Sequence, residues 1–291
     1  MTTEPKPSRT ADTLTAILLF IAVFAMWQVY WLALETIRPT YPFDIILFLI
    51  IPCTFMAIYA ATVILRKSTF KREGFRKPTT INIKKTITIS IACILIYIFM
   101  LLAPGITAVM STGNITDGYS LTEYFQTPLR IAYRIVYGIA YAAIFSLAYE
   151  AIFRGNIFRN LTRHYGFFTS LYASSIMFCI ARIGDQISIK NLLAMSTQSL
   201  VTFIFLNILT VFAAGLFLGY YFYKTGWSLL GPITFQIGTL FFLWPDPLVA
   251  STSVWWIALT FQIIGYVVLI LAVDSLIKEP AFIRKKYGLE S

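Results

Sequence analysis

Residues 14–34 read LTAILLFIAVFAMWQVYWLAL, twenty-one positions without one charged side chain. A helix needs about 20 apolar residues to cross ~30 Å of hydrocarbon, so this run predicts a membrane span. It is too long for the apolar core of a signal peptide, keeps Trp27, Tyr30 and Trp31 near its far end, and shows no small-residue cleavage site. Seven further runs have the same character: 45–65, 87–102, 131–148, 167–181, 200–223, 229–243 and 254–273. The shorter ones reach across by borrowing flanking residues or by tilting. Composition agrees, with 58% hydrophobic and 12% charged residues and a mean hydropathy of +0.75 over 291 residues. A soluble domain carries about 25% charged residues. The expectation is an all-α integral membrane protein, about eight transmembrane helices in one bundle, multi-pass in the cell membrane.

Charge sets the expected orientation. Of the 23 lysines and arginines, 18 fall on one side of the predicted spans: Lys6 and Arg9, eight from Arg66 to Lys85, three from Arg154 to Arg163, Lys224, and four from Lys278 to Lys286. The positive-inside rule then places both termini in the cytoplasm. The net charge of +10 follows from this bias and points to anionic lipid headgroups rather than nucleic acid, since no basic stretch belongs to a soluble domain. Residues 1–13 read as a cytoplasmic tail, 14–277 as the helical bundle and 278–291 as a basic cytoplasmic tail. The segment from Arg66 to Lys85, with Phe70 and Phe75 among its basic residues, suits either a stretch lying on the inner leaflet or a plain connector. Asn114-Ile115-Thr116 lies in the longest exterior loop and matches a glycosylation acceptor, a short pattern frequent by chance. Cys53, Cys93 and Cys179 all fall inside apolar runs, so neither a disulfide framework nor a zinc site is expected.

An ionisable residue inside a span costs about 2.5–3.5 kcal/mol on insertion scales, which makes it the first place to look for function. Glu150, Arg154 and Arg182 stand out, with Asn207, Gln236 and Gln262 as uncharged polar candidates. Glu150 and Arg154 are four apart, on one helical face, with the acid first, the more favourable order. That spacing fits a helix-stabilising ion pair as well as a functional one. If a hairpin turns near Gly166, Glu150 stands sixteen residues before the turn and Arg182 sixteen after it, each roughly 24 Å along its helix. A contact between them is then expected, with Glu150 bridging Arg154 and Arg182. Gly215 and Gly219 form a small-x-x-x-small face suited to close helix approach. Gln236 falls about ten residues past the turn at Gly226, ~15 Å deep on a regular helix, where it serves a site or merely bonds a neighbouring helix.

On these residues the chain resembles the CPBP family of intramembrane proteases, which includes the type II CAAX prenyl proteases and the Abi proteins. The family pattern is Glu-Glu-x-x-x-Arg on one span, Phe-x-x-x-His on the next, then a Gly-rich span, a turn and His-x-x-x-Asn. The match runs from Ala148 to Phe241 within a family-like core of about 130–245. Phe153-Arg154-Gly155, Phe178, the glycines and Thr225-Gly226-Trp227-Ser228-Leu229 agree with it, and Gly74-Phe75-Arg76 resembles the short motif before the third span. The departures fall on the chemistry: Tyr149 replaces the first Glu, Arg182 and Gln236 replace the two histidines, and Leu240 replaces the Asn. The one histidine, His164, is read as a solvated residue of the turn between the fourth and fifth spans.

The resemblance implies a carboxylate base that activates water, histidines that hold a metal or stabilise the oxyanion, and an assisting Asn. Glu150 and Arg154 remain of that set. Arginine neither ligates metal nor acts as a base, so no metal and no cofactor are expected. The leading reading is a pseudoenzyme acting as a membrane binding, scaffold or regulatory protein. Tyr149, Phe178, Gln236 and Leu240 would line its binding site, and its partners would be membrane lipids, another membrane protein or a lipidated peptide. The alternative is a divergent peptidase, with Glu150, Arg154 and Arg182 as catalytic candidates, in which Glu150 activates water and Arg182 stabilises the oxyanion. A transporter or assembly subunit would need a continuous polar pathway that these spans do not show.

Overall fold

The computed structural model describes residues 8–37, 43–71, 73–112, 128–203, 208–243 and 255–278, and among these every regular element is helical. In chain order they are α1 (Arg9–Ile37), α2 (Phe43–Leu65), α3 (Ile83–Thr112), α4 (Pro128–Glu150), a π-helical segment (Ala151–Phe158), α5 (Arg159–Tyr165), α6 (Phe167–Gln186), α7 (Ile189–Leu193), α8 (Thr197–Phe203), α9 (Leu209–Lys224), α10 (Leu230–Leu243) and α11 (Trp255–Leu276). Among the described residues three stretches are long and apolar enough to cross a membrane: Arg9–Thr36, Ile83–Met100 and Phe167–Asp185. Leu49–Leu65 and Thr260–Leu276 are shorter apolar helices. Large apolar side chains face outward along them, among them Leu32 at 63%, Ile64 at 69%, Phe99 at 65% and Leu271 at 62% exposure. Water does not tolerate so much apolar surface, whereas lipid does.

By packing the chain forms two compact units, residues 1–76 with 148–219 and residues 77–147 with 220–291. In the first, α1 lies against α2, α5, α6 and the π segment, and α6 packs on the π segment and α5. Its buried centre is aromatic, with Trp27, Phe55, Tyr149, Phe153 and Phe158 each almost wholly enclosed. In the second, α3 carries both α10 and α11. The turn of Thr225 to Ser228 is tied to the strand of chain before α3: Thr80 Oγ1 donates to the Lys224 carbonyl at 2.6 Å and the Thr79 amide to that of Thr225 at 3.3 Å. Gly226 turns there with φ 73°, and a Cβ on it would strike the Thr79 hydroxyl.

Several expectations change. The helix of the first span begins at Arg9, inside the stretch read as a tail, and Asp12 is fully buried. The hairpin does turn at Gly166, with φ 77°, but helix runs without interruption from Pro128 to Tyr165, so His164 belongs to a last helical turn rather than a loop. The run 200–223 carries two helices, α8 and α9; residues 204–207, with Asn207, lie outside the described residues. Phe70 and Phe75 stack on Tyr59 of α2, with ring centroids 6.1 and 5.9 Å away, so this part of the basic segment folds onto its own unit. The Asn114 loop, residues 1–7 and residues 279–291 lie outside the described residues.

Gly215 and Gly219 pack α9 against α6 within the chain. A Cβ on Gly215 would stand 3.0 Å from the Ser175 Cβ and 3.2 Å from its Cα, while one on Gly219 would meet only the tip of Leu171. Backbone cannot yield as a leucine tip can. Gly215→Leu should cost about 1–3 kcal/mol through overpacking and lower the midpoint of thermal unfolding in detergent, followed by circular dichroism. Gly219→Ala should cost less.

Candidate functional site

Glu150 ends α4 at the point where the helix widens into the π segment, a local change that recurs at functional sites. Its carboxylate Oε2 lies 3.5 Å from Arg154 Nε, one turn on, and both side chains are buried at 1% exposure or less. Arg154 Nη2 donates to the Gly215 carbonyl at 3.1 Å, and the guanidinium stands 4.1 Å over the Phe178 ring. The missing side chain at Gly215 is what lets α9 approach closely enough to offer that carbonyl. Three elements thus meet on one guanidinium: its own helix, α6 and α9. Neither Glu150 oxygen accepts a hydrogen bond from the described residues, and Arg154 Nη1 and Ser175 Oγ are likewise without one.

Tyr149 lies in an aromatic wall. Its hydroxyl accepts from Trp27 Nε1 at 2.6 Å, and its ring is 5.8 Å from Phe55, 5.5 Å from Phe153 and 6.0 Å from Phe178. Arg182 is ion-paired with Asp185, one turn along α6, and its guanidinium lies 5.7 Å from the Tyr149 ring. The expected bridge from Glu150 to Arg182 is therefore not made by a hydrogen bond: the nearer acid on Arg182's own helix takes its place. The spacing of three between Arg182 and Asp185 is itself an ion-pair signal in the sequence.

Gln236 is buried and Leu240 half-buried on α10, in the second unit. The Gln236 Oε1 accepts no hydrogen bond among the described residues, and its backbone carbonyl accepts from Thr239 Oγ1 at 3.1 Å. Nearby order comes from Tyr221, whose hydroxyl lies 2.9 Å from Ser90 Oγ and donates to the Thr86 carbonyl at 3.0 Å. Gly231 is required beneath that ring, since a Cβ there would come within 2.8 Å of it.

The residues present do not suit a divalent metal. The two positions where the family pattern has histidine hold Arg182 and Gln236, and a guanidinium has no lone pair to give. Among the described residues no three His, Cys, Asp or Glu side chains come together.

Removing the Trp27 donor takes one hydrogen bond from a buried phenol, at about 0.5–1.5 kcal/mol. Trp27→Phe and Tyr149→Phe should each lower thermal stability. Because they break one contact, the double variant should fall short of their sum, as a double-mutant cycle in one detergent would read.

Residues 131–242 match the family of type II CAAX prenyl endopeptidase Rce1-like proteins. That segment coincides closely with the core of about 130–245 that carried the resemblance and includes Glu150, Arg154, Phe178, Arg182 and Gln236. No curated protein matches the chain, and no solved structure does.

Proposed function

We propose that this Rce1-like CAAX-protease-family membrane protein binds its target without hydrolysing it, as a scaffold or regulatory member of the family. The observation that carries this reading is the commitment of the substituted positions. Tyr149 is held by Trp27 within an aromatic wall, and Arg182 is held by Asp185. Glu150 then faces a permanent cation on its own helix rather than a second base. A carboxylate so placed is a weak activator of water and a good fixed acceptor, and the rings of Tyr149 and Phe178 beside it suit apolar chains. In this reading the partners are membrane lipids, another membrane protein or a lipidated peptide.

The reading also has the chain cross the cell membrane about eight times with both ends in the cytoplasm. The basic connections and the long apolar helices support that arrangement. One observation favours the alternative of a divergent glutamate peptidase: both Glu150 oxygens are without hydrogen-bond donors among the described residues, as a base awaiting water would be.

Purified protein in detergent, offered a prenylated CAAX peptide and a panel of membrane peptides, should show no turnover while retaining binding. Glu150→Gln should weaken that binding. Wild-type cleavage abolished in Glu150→Ala and reduced in Arg182→Ala would overturn the proposal in favour of the peptidase.

A further inference from the structure

At one end of the first unit, arginines from three parts of the chain gather round a single carboxylate. Asp12, in the first turn of α1, is fully enclosed. Arg66, just past the end of α2, reaches its Oδ1, while His164 Nε2 lies 2.8 Å and Arg163 Nη1 3.8 Å from its Oδ2. Arg9 is drawn to the same corner by Tyr165: the guanidinium lies 4.5 Å over that ring, whose hydroxyl is 2.9 Å from Thr13 Oγ1. Arg163 is braced from the π segment as well. It donates to Asn160 Oδ1 at 2.9 Å, and the buried Asn160 donates in turn to Asn156 Oδ1 at 2.8 Å. Fifteen residues further along α1, Trp27 holds Tyr149, itself fifteen residues before His164 on the motif-bearing helix. The two helices run antiparallel and are pinned at both ends of this stretch, so the corner is a fixed one.

Charge at this corner does not balance. Arginine keeps its proton under all conditions, so Arg9, Arg66 and Arg163 set three positive charges against one carboxylate, an excess of two without counting His164. Arg159 and Glu73, a cation and an anion both within electrostatic reach of Tyr59, offset each other. Lys67 and Lys71, exposed on the segment after Arg66, add to the excess. The carboxylate is closed off inside, whereas Arg9 is exposed and the side chains of Arg66 and Arg163 keep 19% and 22% of their surface open. Positive charge therefore faces outward. The corner also stands where outward apolar surface begins: Leu14 and Leu18 follow on α1, and Phe168 and Tyr172 on α6, all exposed. Such surface belongs against acyl chains, which puts the guanidiniums at the level of the headgroups.

We infer that Arg9, Arg66 and Arg163 form a binding site for the phosphodiester of an anionic membrane lipid. Guanidinium forks match phosphate oxygens two at a time, and basic pockets between membrane helices take anionic headgroups. A zwitterionic lipid carries the same phosphate together with an ammonium that the excess charge repels, so the site selects on net charge. A soluble phosphate has no chains to lay along Leu14 or Phe168. Bound there, the lipid would hold the start of α1, the end of α2 and the end of α5 together. The inference rests on the reading that the chain spans a membrane and stands whether or not the motif site hydrolyses anything.

The test is native mass spectrometry of the full-length protein released from detergent micelles, after titration with phosphatidylglycerol or phosphatidylcholine of identical acyl chains. The first phosphatidylglycerol should bind about tenfold or more tighter than the first phosphatidylcholine. Arg9→Gln with Arg163→Gln, which leaves Arg66 and His164 on Asp12, should cut that preference to about threefold or less. Lys84→Gln with Lys85→Gln removes as much charge from exposed positions of α3 and should leave the preference intact. Excess inorganic phosphate should not displace the lipid. Equal binding of the two lipids, a preference that survives in the arginine variant or falls as far in the lysine variant, or displacement by phosphate would overturn the proposal. If the double arginine variant fails to fold, Arg9→Gln alone decides: a fall of about threefold in the preference is expected, and an unchanged preference sinks the site. Recovery of the wild type with membranes after alkaline washing scores the spanning reading separately.

Discussion

The guanidinium of Arg154 is the constraint around which the first unit is arranged. It keeps its charge under all conditions, and it is almost wholly buried. Such a group persists only where counter-charge and acceptors are brought to it. Glu150 supplies the first, the Gly215 carbonyl the second, and the face of Phe178 covers the rest. Each contributor fixes the position of a different helix, so the acid–base spacing, the aromatic on α6 and the glycine on α9 belong to one requirement.

Much of this could be read from the sequence. Apolar runs predicted most of the helices, Gly166 marked the hairpin, and a spacing of four paired Glu150 with Arg154. Small residues at 215 and 219 announced a close helix approach, and the motif residues located the segment that matches the Rce1-like family. Other features were illegible for physical reasons. A spacing argument could set Glu150 and Arg182 at equal depth, but it could not weigh Asp185, one turn away on the same helix. Nothing local to Trp27 reveals a partner 122 residues away. The π segment has no period of its own in eight residues, and Arg159 to Tyr165 has the polar composition of a connector although it is helical.

The substituted motif positions share a further property. Where the pattern this chain resembles has a carboxylate, position 149 carries a phenol, and where it has an imidazole, position 182 carries a guanidinium. Both changes add positive character to the region, and Asp185 answers the second with a carboxylate of its own. Aromatic packing takes up the side chain at 149 and an ion pair the one at 182.

The register between α1 and the motif-bearing helix bears on how the protein is made. Trp27 and Tyr149 are 122 positions apart, and Asp12 and His164 152. At ~5–20 residues per second, ribosomal synthesis separates Trp27 from its partner by roughly 6–24 s. Throughout that interval α1 is without Tyr149 and His164. Its run of 21 uncharged residues, long and apolar enough to cross a membrane, suits that wait.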